Sequence, residues 1–484
     1  MTTDLTTGPP LRLMVKFALP MLAGMLFQQL YHFADAFVVG RTLGMDALAA
    51  VGASGGIMFL LLGFTFGMTN GFSIPVARHF GAGDYDGLRR SVAVGAVLSA
   101  IVAVVLSIVG IPLGRYLLIW LDTPANLLAD ATSFLTIVFA GSSTIVAFNF
   151  LSSIIRALGD SRTPLYFLAA SSVLNIALVF ALVLGTNLGV AGAALATVLS
   201  QLATVIACLV LVVKKMPLLK PRREDWKLRR DDVMEHLNLG MPMGFQMSII
   251  AIGTLVLQYA INGLGSDAVA AFTAGTRVDG LAMTPLQAFG GAIATYVAQN
   301  RGAGEWARIR QGVGQTAWLM IGIAVAVGAL VIVWGQGIVR GFAGGDDHAD
   351  VIIAQAHQLL VVTGLTYTLL ALLWVSRSAL QGLGHAGIPT LSGVIELILR
   401  SAVALLLVGP LGFLGACLAA PAAWLGALIP LWISWDRRRR ELMVWESEAA
   451  ELKAIAQKQL EDGQQVDGEG QPVDHRCPET VASS

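Results

Sequence analysis

Apolar runs long enough to cross a bilayer alternate with short polar breaks along nearly the whole chain. A hydrocarbon core about 30 Å thick takes about 20 residues of helix. On that ruler the sequence predicts twelve spans, near 13–39, 47–78, 90–112, 127–154, 163–184 and 189–213, then near 235–261, 268–298, 313–335, 350–377, 389–408 and 412–435. The expected fold is an all-α polytopic membrane protein. Its one long charged interruption, Lys214 to Asp232, reads as a linker (214–232) between a six-helix lobe over 1–213 and a second over 233–436. The tail (437–484) turns acidic after Arg440 and ends in Gly, Gln, Asp and Ser, which predicts a short amphipathic helix over about 441–460 followed by disorder. The opening Met1 to Pro10 lacks the basic start and cleavage site of a signal peptide.

The chain also contains itself twice. Gly44-Met45-Asp46-Ala47-Leu48-Ala49-Ala50 recurs as Gly265-Ser266-Asp267-Ala268-Val269-Ala270-Ala271, a shift of 221 positions, and the same shift carries Gly81-Ala82-Gly83-Asp84-Tyr85 onto Gly302-Ala303-Gly304-Glu305-Trp306. Later matches drift by a few residues, as loops allow: Leu158-Gly159 with Pro164 answers Leu383-Gly384 with Pro389, and Leu188-Gly189-x-x-Gly192-Ala193 answers Leu411-Gly412-x-x-Gly415-Ala416. The period is too long for a solenoid. It marks two homologous lobes, and a duplicated membrane domain is the common plan of transporters.

Composition agrees: 56% of residues are hydrophobic and only 13% charged, whereas soluble domains run near a quarter charged. The net charge of zero gives no support to a nucleic-acid partner. Cys208, Cys417 and Cys477 are too scattered for a disulfide framework or a metal site. Basic residues concentrate in the loops after spans two, four, six, eight and twelve, which places both termini in the cytoplasm and the two lobes in parallel orientation.

Ionisable groups at membrane depth are costly, so each is a functional candidate. Asp35 is the only acid at depth in the first lobe, and Gln28 and Tyr31 share its helix face. A carboxyl group in a dry site holds its proton more tightly, so one poised near neutrality can load and release a proton as a cavity opens to either side. Asn149, Asn175, Thr197 and Gln201 lie in the later spans of the same lobe and can gather around it, as a cage for a protonated acid or as part of a sodium site. Taken singly, such residues also serve as interhelical hydrogen-bonding pairs. In the second lobe Arg277 and Asp279 sit two positions apart in span eight as candidates for a substrate cavity. Glu396 and Arg400 stand at the i, i+4 spacing of a buried ion pair. Pro20, Pro75, Pro242 and Pro285 mark spans that can kink.

The Gln-Gln-Leu-Tyr-x-x-x-Asp35 core within Pro20 to Gly40, the following Gly44-x-Asp46-Ala-Leu-Ala-Ala-Val-Gly52, the twin Gly-Ala-Gly-[Asp/Glu] loops, Arg156-Ala-Leu-Gly159-Asp160 and Gly189-x-x-Gly192-Ala193-Ala-x-Ala-Thr197 together resemble the multidrug and toxic compound extrusion (MATE) family. The resemblance covers about residues 10 to 436. It implies two six-helix lobes around a central cavity and export of amphipathic, often cationic, compounds in exchange for protons or sodium ions, with no cofactor beyond the ion gradient. It further implies a protein working as a monomer in a bacterial cytoplasmic membrane. The family's first-helix Pro and Asp fall on Pro20 and Asp35, and its first-lobe polar positions on Asn149, Asn175 and Thr197. This chain departs from members that have an acid one turn after the fifth-helix Asn, where it has Val179, and from those with acids in helices seven and ten. Those departures weaken a sodium site and leave Asp35 as the main coupling candidate, with proton coupling expected.

Three other readings compete. Gly52-Ala53-Ser54-Gly55-Gly56 fits the serine loop of an intramembrane protease, but spans three to six hold no His to serve as its base. A major-facilitator transporter lacks its usual basic loop after span two here. A lipid-linked sugar flippase of the same superfamily is the nearest rival.

Overall fold

The computed structural model describes residues 4–121, 123–186, 188–343 and 349–463, without the side chains of residues 31–36, 45, 342, 343, 452, 453 and 456–463. Among these the chain forms thirteen α-helices, two short 3-10 turns in the linker and no strand. They are α1 (Pro10–Leu43), α2 (Met45–Gly81), α3 (Tyr85–Trp120), α4 (Ala125–Ala140), α5 (Ser142–Ala157), α6 (Arg162–Gly185), α7 (Val190–Lys215), α8 (Arg230–Asn262), α9 (Ser266–Gly302), α10 (Trp306–Ala343), α11 (Ala349–Gly382), α12 (Gly387–Leu411) and α13 (Phe413–Gly463).

Ten of these helices are long and apolar enough to cross a membrane, eleven when α4 and α5 count as one broken span. The remaining long helix is α9, whose Thr273, Thr276, Arg277 and Asp279 lower its hydropathy but which packs among α1, α2, α10 and α11. The twelve expected segments are thus eleven apolar spans and one more polar helix held among neighbours. Outward faces are apolar: Ile108 on α3 is 68% exposed and Leu406 on α12 is 71% exposed, positions that water would disfavour and lipid accepts. The chain is an integral membrane protein.

The fourth span, expected as one helix, bends by 51° between α4 and α5 at Gly141. A break leaves backbone groups unpaired in an apolar medium unless side chains take them over. Here the Ser107 hydroxyl donates to the carbonyl of Phe139 at 2.8 Å, and the Ser142 hydroxyl donates to that of Ala103 at 3.0 Å. Pro20, Pro75, Pro242 and Pro285 lie inside helices that continue through them. The last span runs on without a break to Gly463, so the amphipathic helix expected over 441–460 is its extension, docked by Arg310 against Glu446 and by Trp306 against Trp445, ring centroids 5.0 Å apart. The rest of the tail, with Cys477, lies outside the described residues.

The internal repeat is written into the backbone. Glycines take left-handed φ values in matched pairs: Gly44 +92° and Gly265 +98°, Gly83 +68° and Gly304 +70°, Gly159 +79° and Gly384 +79°, Gly189 +54° and Gly412 +59°. Side chains with a Cβ resist that region, so both halves need glycine at the same four turns.

Candidate functional site

The first helix is shared between the two halves. Met14, Phe17 and Ala18 near its start belong to the buried cluster of the second half, with Phe289, Ile293 and Tyr296 of α9. Val38 and Val39 near its end are buried with Phe134, Val138, Val179 and Val190 of the first half. Asp35 sits on the helix between these two anchorages. The side chains of Asp35 and Tyr31 lie outside the described residues, and Gln28 is exposed.

Across from the end of α1, α6 and α7 bring two expected residues together: Asn175 Nδ2 donates to Thr197 Oγ1 at 3.3 Å, and that hydroxyl donates to the Ala193 carbonyl at 3.2 Å. Asn175 Oδ1 and, one turn beyond Thr197, Gln201 Oε1 are buried without a partner among the described residues. Val179, one turn along α6 from Asn175, is 1% exposed and belongs to the apolar cluster with Val38, Val39 and Val183. Asn149 on α5 is half-buried and joins neither of these residues in a hydrogen bond among the described residues. Asn175 and Thr197 are therefore joined directly, with Gln201 one turn along α7 from Thr197.

The second half holds a separate buried network. Glu396 accepts from Arg400 at 2.8 Å, at the spacing read from the sequence, and also from Arg377 of α11 at 3.1 Å. Arg377 was not among the expected residues because nothing in local spacing links α11 to α12. Asp279 turns toward α11, where the buried Tyr367 hydroxyl donates to it at 2.6 Å, and it lies within electrostatic reach of Arg400. Glu396 thus joins two guanidinium groups, while Asp279 is held by the Tyr367 hydroxyl. Arg277, two positions away, is exposed on another face of α9. Removing one partner of a buried ion pair leaves an uncompensated charge at a cost of about 3–5 kcal/mol. Glu396→Gln is accordingly expected to lower the thermal midpoint of the detergent-solubilised protein strongly, and an unchanged midpoint would assign the network no structural weight.

At the end of the bundle that carries the arginine-rich loops, the basic end, the two halves meet tightly. A methyl group at Gly81 would overlap the carbonyl of Gln299, and one at Gly302 would overlap that of Arg78. Under the 221-residue shift Gly81 answers Gly302 and Arg78 answers Gln299, so the contact is self-complementary within one chain, as in a two-fold interface. Gln299 Nε2 also donates to the Ala157 carbonyl at 2.7 Å, its Oε1 accepts from the Leu5 backbone at 3.1 Å, and Leu5 itself is fully buried. Arg78 pairs with Glu235 of α8, one of its two contacts being 3.1 Å. Gly71 and Gly240 let the backbones of α2 and α8 touch farther along. The structure is closed at this end.

A duplicated helical bundle, sealed at one end and carrying polar groups between apolar walls, defines a secondary membrane transporter. The MatE family profile matches residues 20–181 and 242–406, most of the first five spans of each half, and the chain belongs to that family. It is a transporter and not an enzyme. The probable multidrug resistance protein YpnP of Bacillus subtilis is 31% identical over 308 residues, 63% of this chain and 68% of that protein. YoeA of the same organism, also called a probable multidrug resistance protein, is 28% identical over 80% of this chain and 84% of its own. In fold, the chain resembles a solved outward-facing conformation of a multidrug resistance MATE family transporter, with a TM-score of 0.83 at 24% identity, covering 92% of this chain and 99% of that one.

Proposed function

We propose that this protein is a cation-coupled antiporter that exports amphipathic, often cationic, compounds by alternating access, with protons as the driving ion and Asp35 as their site. The observation that carries the reading is that α1 is anchored at its start in the second half and at its end in the first, with Asp35 between. A change of charge there acts on a helix that both halves hold. The unpartnered oxygens of Asn175 and Gln201, on helices that pack against α1, are acceptors suited to a neutral acid on that helix. When Asp35 is charged, it can attract a cationic substrate. Sodium instead requires several oxygen ligands, and Val179 withholds the second acid. Lobes over 1–213 and 233–436 then rock about the 214–232 linker, with both termini and the basic end in the cytoplasm of a bacterial cell and the chain acting as a monomer. The names of YpnP and YoeA support drug export over transport of lipid-linked sugars.

Proteoliposomes with proton and sodium gradients imposed separately test this. Export of a cationic dye is expected under an inward proton gradient at constant sodium. Export driven by sodium at clamped pH, without a proton gradient, would make Asp35 part of a sodium site instead.

A further inference from the structure

Residues 4–6, ahead of α1, lie across the closed end against α9 and α10. Leu5 is fully buried, its N–H donates to Gln299 Oε1 at 3.1 Å, and its carbonyl accepts from Asn300 Nδ2 at 3.2 Å and from Arg308 at 3.4 Å. Arg308 Nε also donates to Asn300 Oδ1 at 3.1 Å, so the two side chains that grip the Leu5 carbonyl hold each other. The Leu5 side chain joins the cluster of Met14, Phe17, Ile293 and Tyr296. Asp4 fixes the turn from within, its Oδ1 accepting from the Thr6 backbone at 2.7 Å. Both backbone groups of Leu5 are therefore satisfied by side chains of the second half, as a buried segment outside any helix requires.

This contact gives the Gln299 amide a direction. A backbone N–H can only donate, so the amide atom facing Leu5 is the oxygen, and the nitrogen is left to donate to the Ala157 carbonyl of the first half at 2.7 Å. With Leu5 withdrawn, the amide can turn over and set its oxygen against that carbonyl, which repels it. The backbone carbonyl of Gln299 is also the one that faces Gly81, so a single residue carries both a side-chain and a main-chain contact between the halves.

The repeat has the same plan on its other side. Under the 221-residue shift Asp4 and Leu5 answer Asp225 and Trp226 of the linker. The 3-10 turn at Arg223–Trp226 lies on the first half, where Asp225 meets Arg89 of α3 at 3.7 Å. The segment leading into each half thus rests on the other half.

On the alternating-access reading, we propose that Leu5 is a positioning residue for the closed end: residues 4–6 aim the Gln299 amide at the first half, and their release from α9 and α10 weakens the seal and favours the inward-open state.

The test reads opening apart from transport. Thr295→Cys, half-buried on α9 two turns from Gly302, is labelled in full-length protein carrying Cys477→Ser with a membrane-impermeant maleimide. The vesicles are those in which exposed Ala307→Cys at the basic end is labelled, so the reagent approaches from that end. Leu5→Ala and Gln299→Met are each expected to speed labelling at Thr295→Cys about fivefold, the worth of one hydrogen bond. Combined, they are expected to be no faster than Gln299→Met alone, because Leu5 acts through that amide. Removal of residues 2–6 replaces Leu5→Ala if that variant does not accumulate. Buried Cys417 in the second half reports general loosening, and with Thr295 intact its labelling is expected to stay slow in every variant. Unchanged labelling at Thr295→Cys, a further gain on the Gln299→Met background, or a matching rise at Cys417 overturns the positioning role. Absence of proton-driven export would sink the coupling assignment and leave these rates as they are, so the two readings fail separately.

Discussion

Asp35→Asn is expected to insert at wild-type levels and to reduce gradient-driven export to the background of empty vesicles. The amide keeps the size and hydrogen-bonding capacity of the acid but cannot exchange a proton, so only the coupling is removed. Because α1 is packed through Met14 and Phe17 on one side and Val38 and Val39 on the other, its placement survives the substitution. The measurement is dye export from proteoliposomes at matched reconstitution, with substrate binding followed separately by fluorescence. Binding of the dye with no gradient-driven export is the expected pattern; wild-type export rates would remove Asp35 from the coupling.

A second large effect is expected at the basic end. Gly81→Leu and Gly302→Leu each place a side chain where the facing carbonyl, of Gln299 or of Arg78, already sits. Overpacking of this kind costs about 1–3 kcal/mol, enough to move a closed-to-open equilibrium by about 5- to 150-fold. The double variant is expected to hold the basic end open and to stop export while each half keeps its own core. Thr295→Cys, two turns deeper on α9 and half-buried, reports the opening through its rate of reaction with a charged maleimide. With Cys477 replaced by Ser, the native Cys208 and Cys417, both buried, give a slow background. Labelling as slow as in the parent protein would show that the twin-glycine contact does not govern closure.

The sequence by itself determined what depends on neighbours within one helix or on the chain's likeness to itself. Span length and apolarity set the membrane fold, since a bilayer imposes them on each contiguous run. The repeat placed the two halves in correspondence, and the spacing of Glu396 and Arg400 put them on one face. Asp35 stood out because an acid at depth is costly wherever the chain later folds. The tertiary structure decided the rest. It set Arg377 against Glu396, turned Asp279 to Tyr367, joined Asn175 to Thr197, and broke the fourth span where Ser107 accommodates the bend. It also gave α1 to both halves and laid Leu5 against Gln299, 294 positions away. These contacts join residues from different helices, and no local period records which helices will be neighbours. Packing many apolar segments in lipid is driven by close fit and polar pairing between them, and those are properties of the assembled bundle.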